Sequence, residues 1–291
     1  MRTERYALVS ACRNEGGYIG GLIEAISAQT VRPIRWIIVD DGSTDDTAAR
    51  AEAQAANLPF LQIVRMPSDR PRSFASQVFA VQHAYELLKN LSFEFIGFLD
   101  ADIRVGPDYY SRLIDCFQAD PYLGLCGGAV IDKYEDRLVN LRKGSEDFHV
   151  AGGVQFFRRQ CFEQIGGYIP IEGGGQDTIA DIMTMMNGWK LRALPELQAF
   201  HLRPDGFAKD SVFQRGMKWG QKFYLIGYDP VYYLGQCLRR TTSKPYILTS
   251  VAMLLGFAWA HCKAAPRPVT PEFIRFLREL QWRRMRQRCG F

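Results

Sequence analysis

Gly97–Val105 reads GFLDADIRV, an apolar run with the pattern of a buried strand that ends on two aspartates one residue apart, Asp100 and Asp102. A second stretch, Ile37–Thr47 (IIVDDGSTDDT), has the same form: an apolar run, then Asp40 and Asp41 entering a Gly-Ser turn. Open parallel sheets bind ligands beyond the carboxyl ends of their strands, so acids and glycines gathered there mark the expected place of a site.

Working outward from these two stretches, the hydrophobic periodicity alternates between strand and helix. Strands are predicted at Tyr6–Ala11, Trp36–Asp40, Leu61–Met66 and Phe93–Leu99. Between them fall helices at Tyr18–Gln29, from a cap at Thr44 or Asp45 to about Asn57, and at Phe74–Leu88. That alternation predicts an α/β fold with a mostly parallel, Rossmann-like sheet flanked by helices. From Leu123 to His201 the rhythm loosens and glycines pair, at Gly127-Gly128, Gly152-Gly153 and Gly166-Gly167, as turns and close approaches require. After Pro204 the pattern becomes aromatic, basic and helical, with prolines as punctuation. A catalytic domain is therefore expected over residues 1–204, its halves meeting near residue 105, and a helical appendage over 205–291.

Two carboxylates at a strand end can converge on a hard divalent cation, which neutralises a diphosphate. Farther along, Asp177 follows a glycine loop and precedes a helix reaching Asn187, a position from which a carboxylate can take a proton from an incoming hydroxyl. Asp181 lies four residues on, on much the same helix face, and is the rival base. His201 ends a last strand, Leu197–Phe200, and its imidazole is a candidate third ligand or phosphate donor.

The net charge of +5 resides in the tail: residues 263–291 hold eight Lys and Arg against Glu272 and Glu279. Phe273, Ile274, Phe276, Leu277 and Trp282 lie among them, a mixture that fits an anionic membrane surface or a packed helix and argues against nucleic acid. Seven cysteines without CxxC spacing, and an N-terminus without an apolar leader, lead to the expectation of a cytoplasmic protein, peripheral on the cytosolic face of a membrane if the tail docks there. Tyr246–Cys262 is uncharged and mostly apolar, at the short limit for a span, and is read as a buried or interfacial helix.

In the order and spacing of these motifs, Tyr6–His201 resembles the family 2 glycosyltransferases of GT-A fold. The resemblance implies an inverting transfer from a UDP- or GDP-sugar to a glycan or lipid-linked acceptor, dependent on Mg2+ or Mn2+. It implies nucleotide contacts from Ala11, Arg13 and Glu15, although the family's proline and tyrosine are absent from Ala11-Cys12-Arg13-Asn14-Glu15. It assigns the base to Asp41 in preference to Asp40, the donor phosphates to Arg72, and the cation to Asp100 and Asp102 with His201 near it. The acceptor-side signature appears as Arg158 or Arg159, Gly166-Gly167-Tyr168 and Gln176-Asp177, with Gln176 where the family often has an acid. Asp177 stands eleven residues before Gly188, the family's interval for its catalytic aspartate. Two other readings compete: a sugar-phosphate nucleotidyltransferase, which would want a basic glycine-rich loop after the first strand, and a non-catalytic adaptor of the same fold. Asn14-Glu15-Gly16-Gly17 supplies acid where the first needs base, and an adaptor has no evident need of Asp41, Asp100, Asp102 and Asp177 together.

Overall fold

The computed structural model describes residues 5–67, 73–134, 137–139, 148–203, 211–241 and 247–289. The chain divides into two compact units, Met1–Pro170 with Gln176–Pro204, and Ile171–Gly175 with Asp205–Phe291.

Among the described residues the first unit has nine strands: β1 (Tyr6–Cys12), β2 (Arg35–Asp40), β3 (Leu61–Arg65), β4 (Phe95–Phe98), β5 (Ile103–Val105), β6 (Leu123–Tyr134), β7 (Arg137–Val139), β8 (Phe156–Arg158) and β9 (Lys190–His201). Its helices are α1 (Ile19–Ser27), α2 (Thr47–Ala55), α3 (Phe74–Leu88), α4 (Tyr109–Ala119), α5 (Arg159–Gln164) and α6 (Gln176–Met186). The sheet order is β3-β2-β1-β4-β8-β6-β9-β5, with β7 on β6.

The half containing β1 to β4 is parallel, as the strand-helix alternation requires. Beyond it the sheet is mixed, so the expected α/β architecture stands with a sheet that is not parallel throughout. Strand β8 runs antiparallel to both β4 and β6, β5 is antiparallel to β9, β7 is antiparallel to β6, and only β6 and β9 pair in parallel. The mixed half arises because β8 returns between β4 and β6 in the opposite direction, and β5 pairs with β9 at the far edge rather than with β4.

Period-two alternation fills both faces of the sheet. Tyr6, Leu8, Trp36 and Ile38 pack with α1 and α4 residues in one layer. Their neighbours Ala7, Val9, Ile37 and Val39 pack with α3 and α5 residues in the other. Phe156 on β8 anchors the first layer, edge-on to Tyr6 and Phe117. Fully buried Trp36 satisfies its indole by donating to Ser10 Oγ at 3.2 Å, so this large apolar group enters the core without an orphaned polar atom. Helix α3 begins in a capping box in which Ser73 and Ser76 each receive the other's backbone N–H.

The second unit contains α7 (Val212–Ile226), α8 (Pro230–Arg240), α9 (Ile247–Cys262) and α10 (Pro271–Cys289). Helices α7 and α9 pack backbone to backbone. A Cβ on Gly220 would lie 2.0 Å from the Met253 carbonyl oxygen, and one on Gly256 would lie 2.1 Å from that of Met217. Gly220→Ala must therefore push the helices apart, and a stability loss of about 3 kcal/mol or more is expected in chemical denaturation. Helix α10 rests on the α7–α8 turn: Gln281 accepts from the Asp229 backbone N–H at 3.0 Å, and Phe273 and Leu277 are buried. Among the described residues no helix is long and apolar enough to cross a membrane.

Candidate active site

The carboxyl ends of β1 and β2 are laced together by their own turns. Asn14, in the left-handed region at φ 57°, donates its backbone N–H to Ser43 Oγ at 2.9 Å and receives Thr44 N–H on its amide oxygen at 2.8 Å. Glu15 N–H reaches Thr47 Oγ1 at 2.7 Å. Within this frame the two neighbouring aspartates part. Asp40 spends its carboxylate on the turn, accepting Ser43 N–H at 3.0 Å and the Ser43 hydroxyl. Asp41, buried, instead has Arg13 at 4.0 Å. Ala11, one residue before the end of β1, pairs with Val39. Glu15 accepts the guanidinium of Arg203, which also lies 3.8 Å from Asp102 and over the ring of Tyr18. Arg72 lies outside the described residues.

Two more of the predicted acids, Asp100 and Asp177, meet at one turn. Gly152 and Gly153, in a short 3-10 turn before β8, run between Asp177 and Asp100. A Cβ on Gly152 would stand 3.0 Å from Asp177 Cβ, and one on Gly153 would stand 2.6 Å from Asp100 Oδ2, so each glycine sits against one carboxylate. Asp100 is further fixed by its backbone N–H to the Gly153 carbonyl at 3.1 Å and by Gln77, whose amide donates to Oδ1 at 2.8 Å. Asp177 takes Thr178 N–H on Oδ1 at 2.8 Å, in the first turn of α6.

Asp181, the rival base, is only 1% exposed and committed to the interior. His149 Nδ1 lies 2.6 Å from its Oδ2, and Gln155 donates to its Oδ1 at 3.1 Å. Arg158 and Arg159 are likewise taken up by structure: Arg158 donates to the carbonyls of Leu123 and Phe117, and Arg159 to those of Leu91 and Lys89.

His201 is held between two carboxylates, Nδ1 at 2.8 Å from Asp132 and Nε2 at 3.4 Å from Asp102. Strand register makes this arrangement, since His201 pairs with Asp132 on β6 and with Ile103 on β5, one residue after Asp102. The Asp102 hydrogen bond first, and that of Asp132 second, raise the imidazole to about 10. Burial works to raise the Asp102 carboxyl, but the hydrogen bond and charge of His201 and the charge of Arg203 leave it below its ordinary value. The Asp100 carboxyl is pushed up to about 7, by burial first and by the charge of Asp102 second.

Among the described residues no three His, Cys, Asp or Glu side chains form a closed metal cage. The donor set fits a cation shared with a ligand, because Mg2+ is commonly held by one or two carboxylates and completes its shell with phosphate and water oxygens. Asp100 has the character such a cation would relieve: its charged form is disfavoured by burial and by a second carboxylate. A carboxyl whose folded pKa is raised contributes stability below its ordinary value of 3.8 and loses it as pH rises through about 7. Asp100→Asn is thus expected to be nearly level with the parent at about pH 4 and more stable than it at about pH 8, by roughly 4 kcal/mol. Calorimetry at both pH values checks this, and Mn2+ should narrow the gap by stabilising the parent alone.

Sequence reasoning names Asp41, Asp100, Asp102, Asp177 and His201 as candidates, and does not name Asp132, Gln77 and Arg203, which the structure sets beside His201, Asp100 and Asp102. The paired glycines at 152 and 153 were the legible signal of the turn. Nothing in the local sequence marks Asp132, which meets His201 across 69 residues.

With this geometry in place, comparison with known proteins is informative. Poly-beta-1,6-N-acetyl-D-glucosamine synthases of two Staphylococcus aureus strains, MSSA476 and MW2, are each 21% identical over 235 residues, 75% of this chain and 54% of theirs. The chain thus spans about half the length of the curated relatives it matches. Among solved structures, the mannosyltransferase PcManGT from Pyrobaculum calidifontis, in complex with GDP-Man and Mn2+, superposes with a TM-score of 0.59 at 20% identity, over 90% of this chain and 75% of that one. GalNAc-T7 with UDP, GalNAc and Mn2+ gives 0.59 at 17% identity, over 82% and 51%. S. aureus TarS 1–349 gives 0.55 at 14% identity, over 90% and 72%. At these identities the structural likeness is one of fold, the GT-A fold. The model of the Glycosyl transferase family 2 matches residues 8–173, more than half of the chain, and the chain belongs to that family.

Proposed function

We propose that this protein is an inverting glycosyltransferase that moves a sugar from a UDP- or GDP-sugar to a glycan or lipid-linked acceptor, with Mg2+ or Mn2+ at Asp100 and Asp102. The observation that carries the reading is the turn at Gly152-Gly153, whose two glycines abut Asp177 and Asp100 and so bring a candidate base and a candidate cation ligand to one place. Complexes of two fold neighbours with a nucleotide or nucleotide sugar and Mn2+ support it further.

Each group in this reading has a distinct task. Asp41 accepts hydrogen bonds from the nucleotide base, with Arg13 beside it and Ala11 and Glu15 lining the same turn; Arg72 is assigned to the donor phosphates. Asp100 and Asp102 hold the cation, His201 stands beside them, and Asp132 fixes the imidazole so that Nε2 points at Asp102. The bound cation supplies positive charge to the leaving diphosphate. Asp177 takes the proton of the acceptor hydroxyl as the oxygen attacks the anomeric carbon from the face opposite the leaving group, which inverts that centre. The catalytic domain is taken as residues 1–204 and the helical appendage as 205–291.

Incubating the full chain with individual UDP- and GDP-sugars and Mn2+, and following release of UDP or GDP, tests this. Release from one nucleotide class that chelator abolishes is expected; no release from either class, with or without acceptor oligosaccharides, contradicts it.

A further inference from the structure

The outward faces of α8 and α9 carry an apolar surface that the proposed reaction does not use. Sixteen large apolar side chains are exposed among the described residues, and eight of them lie on these two helices. On α9 they form one stripe, Leu248, Val251, Leu255 and Trp259, at helical spacing, with Trp259 56% exposed. The helix cannot turn this stripe inward, because its other face is locked against α7 by Gly220 and Gly256. On α8, Val231, Leu234 and Leu238 are likewise exposed. Single exposed apolar residues are ordinary, but a continuous helical stripe marks a surface that is covered in use.

Charge identifies what covers it. Between Asp229 and Glu272 the sequence has no acidic residue, and it has five basic ones, Arg239, Arg240, Lys244, Lys263 and Arg267. Lys263, the residue after α9, holds its ammonium 5.1 Å over the Trp259 ring, the pairing of aromatic body and cation suited to a headgroup layer. A second copy would set cations against cations. An anionic bilayer offers both an apolar depth for the stripe and negative charge for its frame.

We propose that α8 and α9 dock this protein onto an anionic lipid surface through Leu248, Val251, Leu255 and Trp259, without crossing it. This places the contact elsewhere than the basic tail to which the sequence pointed. Helix α10 carries charge, but Phe273 and Leu277 are buried and no large apolar side chain of α10 is among the exposed ones. The inference stands independently of the proposed transfer reaction, since vesicle binding requires neither donor nor cation.

Co-sedimentation of the full chain with phosphatidylcholine vesicles containing roughly 30% phosphatidylglycerol tests it. The parent binds these vesicles and releases in high salt. V251Q/L255Q, which keeps the parent's melting temperature because both positions face solvent, loses at least about tenfold in bound fraction. Charge reversal on α10, R283E/R286E, retains most of the binding. Equal binding by V251Q/L255Q and parent overturns the proposal, as does a parent that ignores anionic vesicles. A parent dimer in sedimentation velocity that V251Q/L255Q dissolves also overturns it, because the stripe is then an interface between copies.

Discussion

Asp177→Asn is expected to lower turnover by roughly 100- to 10,000-fold while leaving donor affinity and melting temperature close to those of the parent. The separation of effects follows from what the side chain does in the fold. Its Oδ1 accepts the N–H and the hydroxyl of Thr178 in its own helical turn, bonds that an asparagine oxygen can accept as well. The substitution keeps the volume beside Gly152, where a Cβ would already stand 3.0 Å from Asp177 Cβ, and removes only the ability to take a proton. Asp181→Asn is the informative companion. That carboxyl, pushed up to about 7 chiefly by burial, is hydrogen-bonded to His149 and Gln155, so the variant should lose stability and keep a larger share of turnover. Initial rates at saturating donor, set beside thermal melts, distinguish the two. A larger loss of turnover in Asp181→Asn than in Asp177→Asn would reverse the assignment of the base.

Asp102→Ala should be the most damaging single change at the donor side, with a loss of roughly 100-fold or more in cation-supported turnover. Asp102 answers to both His201 and Arg203 as well as to the proposed cation. Its removal therefore has a second consequence. With its principal partner gone, the imidazole retains Asp132 alone and falls from about 10 toward its ordinary value of 6.5. A histidine whose folded pKa is raised contributes stability that is complete below the ordinary value and is lost as pH rises through the folded one. The parent should accordingly owe part of its stability to this pair below about pH 6.5, and lose that part progressively toward about pH 10. The stability difference between parent and Asp102→Ala should therefore be larger at about pH 6 than at about pH 9. Denaturant titrations at those two pH values, together with the ring-proton titration of His201 by NMR in both proteins, check the sign.

The parts of this architecture that local chemistry writes were legible in advance. Phe74–Leu88 was read as a helix with its observed limits, and β1, β2 and β3 were placed within a residue of theirs, because period-two and period-3.6 patterns are local properties of the chain. Asp100 and Asp102 were legible because an apolar strand ends on them. The far half of the sheet was not, since antiparallel pairing of β8 with β4 and β6 depends on where distant strands return. Asp132 belongs to that half: it reaches His201 only through the parallel register of β6 and β9. Arg203 meets Glu15 across 188 residues, and no spacing rule connects them. In the other direction, Asp40 and Asp41 were adjacent candidates that sequence order alone could not rank by environment. The Ser43 turn consumes the first and leaves the second beside Arg13.

The central claim is that the acids at the strand ends form a cation-assisted nucleotide site. Isothermal titration of UDP and of GDP into the full chain, with and without Mn2+, and into Asp102→Ala, tests it most directly. The account predicts that one nucleotide binds with an affinity that requires both Mn2+ and Asp102. If neither nucleotide binds under any of these conditions, or if binding is indifferent to Mn2+ and to Asp102, the account is contradicted.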